Sequence, residues 1–140
     1  MTWRRYLEMS PIEPYNLLVR TCFETPAHAG DVDGEFAGYA RADVSEPGSG
    51  ARLQLFAGIE HGRILQLRFR VWGCPHLVAA AELYCSEHEG RELASSGAVD
   101  LKEMMERLAV PVAKTGRLLL VEDAARMLAA GTNSRNRDEN

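Results

Sequence analysis

The feature of the sequence that most constrains its fold is a pair of alternating segments, residues 51–60 and 63–72. Every second residue is apolar, which is typical of a strand with one buried face and one solvated face. The apolar positions are Leu53, Leu55, Ala57 and Ile59, followed by Leu65, Leu67, Phe69 and Val71. His61-Gly62 separates the two segments, and a two-residue loop containing glycine favours a β-hairpin. The chain is therefore expected to build its core on one face of an antiparallel sheet.

A third strand and several helices are predicted around this hairpin. Residues 35–42 have a weaker strand pattern, and the turn-rich segment 43–50 joins them to the hairpin. Apolar residues recur at helical spacing in four further segments. These segments are residues 13–26, 77–89, 100–109 and 118–131. The prediction is an α+β fold, a three-stranded antiparallel sheet with helices packed on one face.

Residues that start or stop helices set the predicted boundaries. Pro26 ends the first helix, and Gly90 closes the second. Asp100 is a favourable N-cap for the third helix. Gly131 follows the last helical pattern and is expected to be its C′ glycine.

Length, composition and charge exclude several classes of protein. The 140 residues suffice for a single domain, expected over residues 1–130, and the polar residues 131–140 are expected to form a disordered tail. The net charge is -4 and no basic block occurs, so nucleic acid is not an expected partner. No apolar run reaches the roughly 18 residues that span a bilayer. The N-terminus also lacks the apolar region of a secretory signal, so we expect a cytoplasmic protein without a membrane partner.

The three cysteines have no paired spacing, which argues against a disulfide framework or a zinc knuckle. Cys22 and Cys85 are expected to be small buried hydrophobic residues. Cys74 differs because Gly73-Cys74-Pro75 joins a predicted strand to a predicted helix. Backbone N–H groups and the macrodipole at a helix start favour a thiolate there. The local sequence leaves open whether Cys74 is a metal ligand, a sulfur acceptor or a small residue in a tight turn.

The histidines do not complete a metal site in the sequence. His76 lies two residues after Cys74 and is either a second metal ligand or an exposed residue at the helix start. Cys85 and His88 share one helix face and would form half of a tetrahedral site. The side chains expected to be solvated are those of His28, His61, Glu87 and Glu89.

Three stretches of the sequence occur in an order that resembles one family. "YNLLVRTCFETPAHAG" resembles an opening helix with its turn. "LQLFAGIEHGRILQLRFRVWGCPHLVAAAELYCSEHEGREL" resembles a strand–turn–strand unit, a Gly-Cys turn and an alanine-rich helix. "EDAARMLAA" resembles a closing helix. Together, from about Tyr15 to Ala130, they resemble the IscU/NifU N-terminal family of iron–sulfur cluster assembly scaffolds, which implies the α+β fold described above and a non-catalytic role.

The resemblance implies a site from which most ligands have been lost. In the family, three cysteines hold the cluster, and a neighbouring aspartate and histidine also bind or exchange metal. Cys74 matches the cysteine after the second hairpin strand. Ser49 and Ala51 stand where the family has an earlier cysteine and the aspartate, and Gly116 and Arg117 stand where it has His-Cys. A lone thiolate is too few for a cluster that normally has four ligands, and a fixed cation at Arg117 repels metal ions.

The family's chaperone-recognition segment, Leu-Pro-Pro-Val-Lys, matches residues 110–114 in part. Val110, Pro111 and Lys114 fit this pattern, whereas Val112 and Ala113 do not. The segment is therefore either a partner-binding site or an ordinary loop between helices.

Two non-enzymatic functions are consistent with these observations. One is a degenerate scaffold in which Cys74 accepts sulfur from a cysteine desulfurase, or binds iron or a cluster with outside thiols, for example across a dimer. The other is an adaptor or regulator without metal that docks assembly partners such as a cysteine desulfurase or cluster-transfer chaperones. A third alternative is an enzyme that uses Cys74 as a nucleophile, for which His76 is the only base near it in the sequence. The alternatives for the cofactor are an iron–sulfur cluster, iron, zinc or none at all.

Overall fold

The computed structural model describes the backbone of residues 15–138 and the side chains of residues 15–131. The elements in chain order are α1 (Leu17–Glu24), β1 (Gly38–Ser45), β2 (Arg52–Glu60), β3 (Arg63–Trp72), α2 (Pro75–His88), α3 (Leu101–Arg107) and α4 (Thr115–Asp138). Short 3-10 helices at Leu93–Ser95 and Val112–Lys114 precede α3 and α4. Residues 13–14 of the first predicted helix lie outside the described residues, as do residues 139–140 of the predicted tail.

The three strands form one antiparallel sheet in the order β1-β2-β3. Residues 61 and 62 connect β2 to β3 as predicted. His61 and Gly62 both have positive φ, 54° and 75°, and two successive positive values are typical of the type I′ turn that matches strand twist. The predicted hairpin is confirmed, and His61 is exposed as expected.

The helices pack on one face of this sheet and enclose the core. α4 lies on β1 and β2, and α2 lies on β3. The sheet contributes Leu53, Leu55, Leu67 and Phe69, while the helices contribute Leu77, Tyr84, Leu118, Val121 and Leu128. The predicted α+β fold is therefore confirmed. None of the helices in residues 15–138 combines the length and apolar character needed to cross a membrane.

Capping residues explain most helix ends. The Asn16 side chain accepts a hydrogen bond from the Val19 amide at 2.9 Å and starts α1. Asp100 accepts one from the Glu103 amide at 3.0 Å, which confirms it as the N-cap of α3. α2 begins at Pro75, two residues earlier than predicted, because proline at the first helical position loses no hydrogen bond.

The alternation in β3 reverses near the hairpin turn. Leu65 is 47% exposed, whereas Ile64 is fully buried. The cause is a register shift at Gly58/Ile59, which pairs Ile59 with Ile64 and Gly58 with Gln66. The prediction that Leu65 faces the core is therefore wrong.

The outer face of β2 is covered rather than solvated. Phe56 is 8% exposed because the guanidinium groups of Arg41 and Arg70 lie over its ring at 5.7 and 5.5 Å. Gln54 is 5% exposed and donates to the Asp43 carboxylate at 3.1 Å. Long side chains of the two flanking strands thus shield the central strand, so the predicted wet face is wrong for β2.

Gly131 lies inside α4 and not after it. The helix continues to Asp138, and Gly131 is buried against β1. A Cβ on this glycine would lie 3.2 Å from the Ala40 Cβ. The glycine lets the helix approach the strand closely, so the predicted helix end at Gly131 is wrong. The division into a domain over 1–130 and a tail over 131–140 stays a prediction.

Candidate functional site

Cys74 lies where β3 turns into α2. It is the N-cap residue of α2, and its carbonyl oxygen accepts hydrogen bonds from the amides of Leu77 at 3.0 Å and Val78 at 3.2 Å. Its side chain is partly buried and packs against the hydrophobic core, and its thiol forms neither a capping hydrogen bond nor a disulfide.

An open cleft of about 380 Å³ lies beside this thiol. Its lining residues are Ser49, Gly50, Ala51, Trp72, Gly73, Cys74 and Arg117. They come from the loop between β1 and β2, from the end of β3 and from the first turn of α4. The fold thus brings Ser49, Ala51 and Arg117, which are distant in sequence, to the same cleft as Cys74.

The Ser49 hydroxyl is engaged in the structure of its own turn. It donates a hydrogen bond to Glu46 Oε1 and accepts one from the Ala51 amide at 3.2 Å. Gly50 has a φ of 77°, which closes this turn. Ala51 is buried, so the position offers a methyl group to the core and no metal ligand to the cleft.

Glu46 is a carboxylate near the cleft that the sequence patterns did not single out. A Cβ on Gly116 would lie 2.7 Å from Glu46 Oε2, so the glutamate occupies the space that a side chain at position 116 would need. The sequence placed Glu46 only in an exposed, turn-rich segment. No spacing rule indicates that this turn folds against the start of α4.

Arg117 brings a positive charge to the cleft. It lies in the first turn of α4 and lines the cleft. A guanidinium is permanently charged, so it attracts anions and repels metal cations. Arg117 thus favours an anion over a metal cation in the cleft, whereas the Glu46 carboxylate nearby acts in the opposite sense.

Comparison with known proteins assigns the chain to a family. The sequence model of the NifU-like N-terminal domain matches residues 14–138. The chain belongs to the NifU-like N-terminal domain family. It is 26% identical over 109 residues to the iron–sulfur cluster assembly scaffold protein IscU of Haemophilus influenzae, a match that covers 77% of this chain and 86% of that protein. It is 29% identical over 104 residues to IscU of Azotobacter vinelandii, which covers 73% and 80%.

Two solved structures with a similar fold are named as a cluster assembly scaffold and as a NifU-like protein. A putative iron–sulfur cluster assembly scaffold protein for the SUF system from Fervidobacterium islandicum superposes with a TM-score of 0.62 at 10% identity, covering 82% of this chain and 96% of that one. A NifU-like protein N-terminal domain from Brucella abortus superposes with a TM-score of 0.60 at 17% identity, covering 89% and 94%. At these identities the likeness establishes the fold.

The described part of this NifU-like domain offers few metal ligands. Across residues 15–131, no three His, Cys, Asp or Glu side chains come together in a geometry that could hold a metal ion. In the cleft itself, Cys74 is the sole thiol among the lining residues, and Ser49 and Arg117 accompany it. A cluster of two irons and two sulfides normally requires four ligands. The residues present therefore do not fit a complete cluster without outside ligands.

His76 is not among the residues that line the cleft of this NifU-like domain. It is 3% exposed, its Nδ1 lies 3.2 Å from Lys114 Nζ, and its ring lies 4.8 Å from that of Tyr15. The interpretation of His76 as an exposed residue at a helix start is therefore wrong. Its role as a second ligand beside Cys74 stays a prediction, and it would require His76 to leave Lys114.

The candidate partner-binding residues lie along the connection between α3 and α4. The Lys114 ammonium lies over the Tyr15 ring at 5.6 Å and beside His76, so it is engaged within the domain. Val110 borders an apolar groove of about 500 Å³. The groove is lined by Leu101, Lys102, Met105, Glu106, Ala109, Val110 and Val112. Pro111 precedes the exposed Val112, and partner binding by this segment stays a prediction.

The remaining cysteines are buried as predicted. Cys85 is fully buried, and burial together with the nearby Glu82 and Glu89 carboxylates raises the pKa of its thiol. Burial likewise raises the pKa of Cys22. His88 packs on Tyr84, with ring centroids 4.5 Å apart. A thiol that stays protonated is a poor metal ligand, which disfavours a site at Cys85 and His88.

His28 belongs to an ionic cluster that sequence inspection missed. Its Nδ1 lies 2.6 Å from Glu82 Oε2 and its Nε2 lies 3.1 Å from Glu89 Oε1. Glu89 also accepts from Arg68 Nη1 at 2.6 Å. The loop that follows α1 folds onto α2 and β3, so the predictions that His28 and Glu89 are solvated are wrong. Glu87 is exposed, as expected.

Proposed function

We propose that the protein acts in iron–sulfur cluster assembly as a scaffold-family member whose cluster site is reduced to one working thiol. Cys74 accepts and carries sulfur instead of holding a complete cluster alone. The observation that carries this proposal is the cleft, in which Cys74 lies among Ser49, Ala51 and Arg117. These are three of the four other positions that the family resemblance indicates, and the fourth, Gly116, is not among the lining residues. The function is non-catalytic, and we infer a cytoplasmic location.

The proposed step is a transfer of sulfane sulfur from a cysteine desulfurase. The Cys74 thiolate attacks the terminal sulfur of a persulfide on the desulfurase. A new S–S bond forms at Cys74, the S–S bond of the donor breaks, and the donor cysteine leaves as a thiolate. Atoms and electrons balance, so the step needs no further oxidant or reductant.

The charge of the cleft supports this step. Cys74 as nucleophile, the leaving thiolate and the product persulfide all carry negative charge, which Arg117 at the rim of the same cleft stabilises. The same guanidinium opposes the arrival of iron. Binding of iron or a cluster would then require outside thiols, such as those of glutathione, to supply the missing ligands.

A second candidate function is an adaptor that docks assembly partners without using Cys74. The apolar groove next to Val110 and Val112 favours it, because Val112 is an exposed large apolar side chain beside a groove lined mainly by apolar residues. Val110, Pro111 and Lys114 are the residues that we expect a partner such as a chaperone to recognise.

Persulfide labelling distinguishes the two functions. The wild type and the Cys74→Ser variant are incubated with a cysteine desulfurase and ³⁵S-labelled cysteine under anaerobic conditions, and protein-bound label is measured without reductant. Cys22→Ala is the matched control, because Cys22 is a buried thiol outside the cleft. Label on the wild type and the control, with loss in Cys74→Ser, is expected. Equal label on all three proteins overturns the sulfur-acceptor proposal. A wild-type protein that binds the desulfurase stably but takes up no label favours the adaptor.

A further inference from the structure

The outer face of the sheet, which points away from the helices, carries a cluster of arginines. The strand register sets rows of neighbouring side chains on this face, each with one residue from β1, one from β2 and one from β3. Phe36 covers the row nearest the hairpin turn, because its ring occupies the space that a Cβ on Gly58 would need. The other three rows define the arginine patch, which consists of Arg41-Phe56-Arg68, Asp43-Gln54-Arg70 and Ser45-Arg52-Trp72.

Two of the four arginines in the patch are closely paired with carboxylates. Arg68 donates to Glu89 at 2.6 Å. Arg52 donates to both carboxylate oxygens of Asp43, at 2.9 and 2.6 Å, and Gln54 donates to Asp43 at 3.1 Å. The hydrogen bond from Arg52 is the main cause that lowers the pKa of Asp43 to about 2. Asp43 is therefore ionised at neutral pH, and its charge balances that of Arg52.

Arg41 and Arg70 give the patch an excess of two positive charges, although the net charge of the chain is -4. Arg41 approaches Asp43 only to 3.8 Å and its side chain is 63% exposed, and Arg70 is exposed as well. Their guanidinium groups lie 5.7 and 5.5 Å from the centroid of the Phe56 ring, so the two charges are at most about 11 Å apart, the sum of these distances. Like charges at a separation near the Debye length of about 8–10 Å repel each other. An anion that binds both arginines relieves this repulsion.

The patch extends to the cleft that holds Cys74. Trp72 belongs to the patch by register and also lines the cleft, and it is 48% exposed. Three rows on three strands cover about 13 Å along the strands and about 10 Å across them. An extended segment of four or five residues has a similar length. Such a segment bound across Arg41 and Arg70 would lie beside the opening of the cleft without contacting the thiol itself.

The aromatic rings of the patch favour an acidic protein segment over a nucleic acid as the bound partner. Guanidinium groups already lie over the rings of Phe56 and Trp72, on which the bases of a single strand would otherwise stack. An excess of two charges is also small beside the several phosphate contacts that nucleic-acid binding normally uses. Carboxylates, in contrast, pair with guanidinium groups through two parallel hydrogen bonds, which needs no ring face.

We propose that the arginine patch is a docking surface for a partner protein with an acidic segment. Asp or Glu side chains of the partner bind Arg41 and Arg70, and the bound partner lies against Trp72 at the opening of the Cys74 cleft. Complementary charge of this kind raises the rate of association and weakens as salt screens it. The interaction goes beyond the proposed sulfur transfer and does not depend on it.

Titration of a fluorescein-labelled octaglutamate peptide with the full chain, followed by fluorescence anisotropy at low salt, tests the docking surface. The wild type is expected to bind, and Arg41→Gln/Arg70→Gln is expected to raise the dissociation constant at least about fivefold. Arg91→Gln/Arg126→Gln is the matched control, because it removes two exposed arginines outside the patch and changes the net charge equally. Asp43→Asn removes the carboxylate of the patch and is expected to lower the dissociation constant about threefold. This variant acts in the opposite direction, so it tests the proposal even if circular dichroism shows that the first double variant is unfolded.

The proposal is overturned if the wild type does not bind octaglutamate, or if both double variants lose the same affinity, since net charge alone would then explain the binding. Loss of binding in Arg117→Gln alone would assign the peptide to the cleft and overturn it as well. Tighter binding of an oligothymidylate of equal charge would indicate nucleic acid instead of an acidic protein. A wild-type dimer that Arg41→Gln/Arg70→Gln dissociates in sedimentation equilibrium would assign the patch to a second copy of the chain. Sulfur labelling of Cys74 is a separate measurement, so its failure leaves the result of this titration unaffected.

Discussion

Replacing Glu89 with glutamine is expected to lower the free energy of unfolding by about 2 kcal/mol. Its carboxylate accepts hydrogen bonds from the Leu67 amide at 2.9 Å and from Arg68 at 2.6 Å, and it contacts His28 at 3.1 Å. A hydrogen bond to a charged group contributes about 1.5–3 kcal/mol, and the 28% exposure of Glu89 reduces each contribution. Glutamine keeps one acceptor but turns its N–H₂ group towards other donors, so part of the network is lost.

Urea denaturation with linear extrapolation measures this loss. Glu87→Gln is the matched control, because Glu87 pairs with Arg107 while both side chains are 43% exposed. Such a surface pair contributes about 0.5 kcal/mol. Equal losses in the two variants would refute the view that Glu89 ties α2 to β3 and to the loop carrying His28.

The same comparison has a defined pH dependence. Burial acts to raise the pKa of Glu89, but the hydrogen bonds from the Leu67 amide, Arg68 and His28 outweigh it and lower this pKa below the ordinary value of 4.5. The stabilisation by Glu89 is therefore complete above pH 4.5 and is lost as the pH falls through the lowered value. The difference between the wild type and Glu89→Gln is expected to shrink with acidification, and a constant difference down to low pH would contradict this assignment.

Three further predictions concern the cleft and the core. The double variant Ser49→Cys/Arg117→Cys brings three thiols to one cleft and is expected to retain iron and colour after anaerobic reconstitution, whereas a colourless variant would show that thiol number is not the limiting factor. Arg117→Gln is expected to lower the ratio of the rates at which anionic iodoacetate and neutral iodoacetamide alkylate Cys74. The expected decrease is roughly threefold to fivefold at low salt, because the guanidinium attracts the anionic reagent by about 1 kcal/mol. An unchanged ratio contradicts a role for this cation. Tyr84→Phe is expected to cost about 1 kcal/mol in urea denaturation, because the Tyr84 hydroxyl donates to the buried Ser96 carbonyl at 2.8 Å, and a loss near zero contradicts this.

The sheet was predictable because its signals are local. Alternating apolar residues indicated β2 and β3, and His61-Gly62 indicated the turn between them. The errors arose where packing between elements decides. A register shift exposes Leu65, and arginines from both neighbouring strands bury Phe56. Neither effect has a signature in the pattern of a single strand.

The candidate site was predictable only in part, for a similar reason. The resemblance to a family indicates Ser49, Ala51, Gly116 and Arg117 as companions of Cys74. All of these except Gly116 line one cleft with Cys74. The position of Glu46 near the cleft could not be predicted, because its proximity to Gly116 depends on how the β1–β2 loop packs against α4. The burial of His76 likewise has no local signal, because its neighbours Lys114 and Tyr15 are distant in sequence.

The most direct test of a single-thiol site is the iron content of the wild-type protein. The protein is purified and treated with iron and sulfide under anaerobic conditions, without small thiols, and then desalted; iron per chain and visible absorption are measured. We expect a colourless protein with almost no bound iron, since Cys74 supplies one of about four ligands that a cluster needs. A brown monomer that retains about two irons per chain would contradict the account.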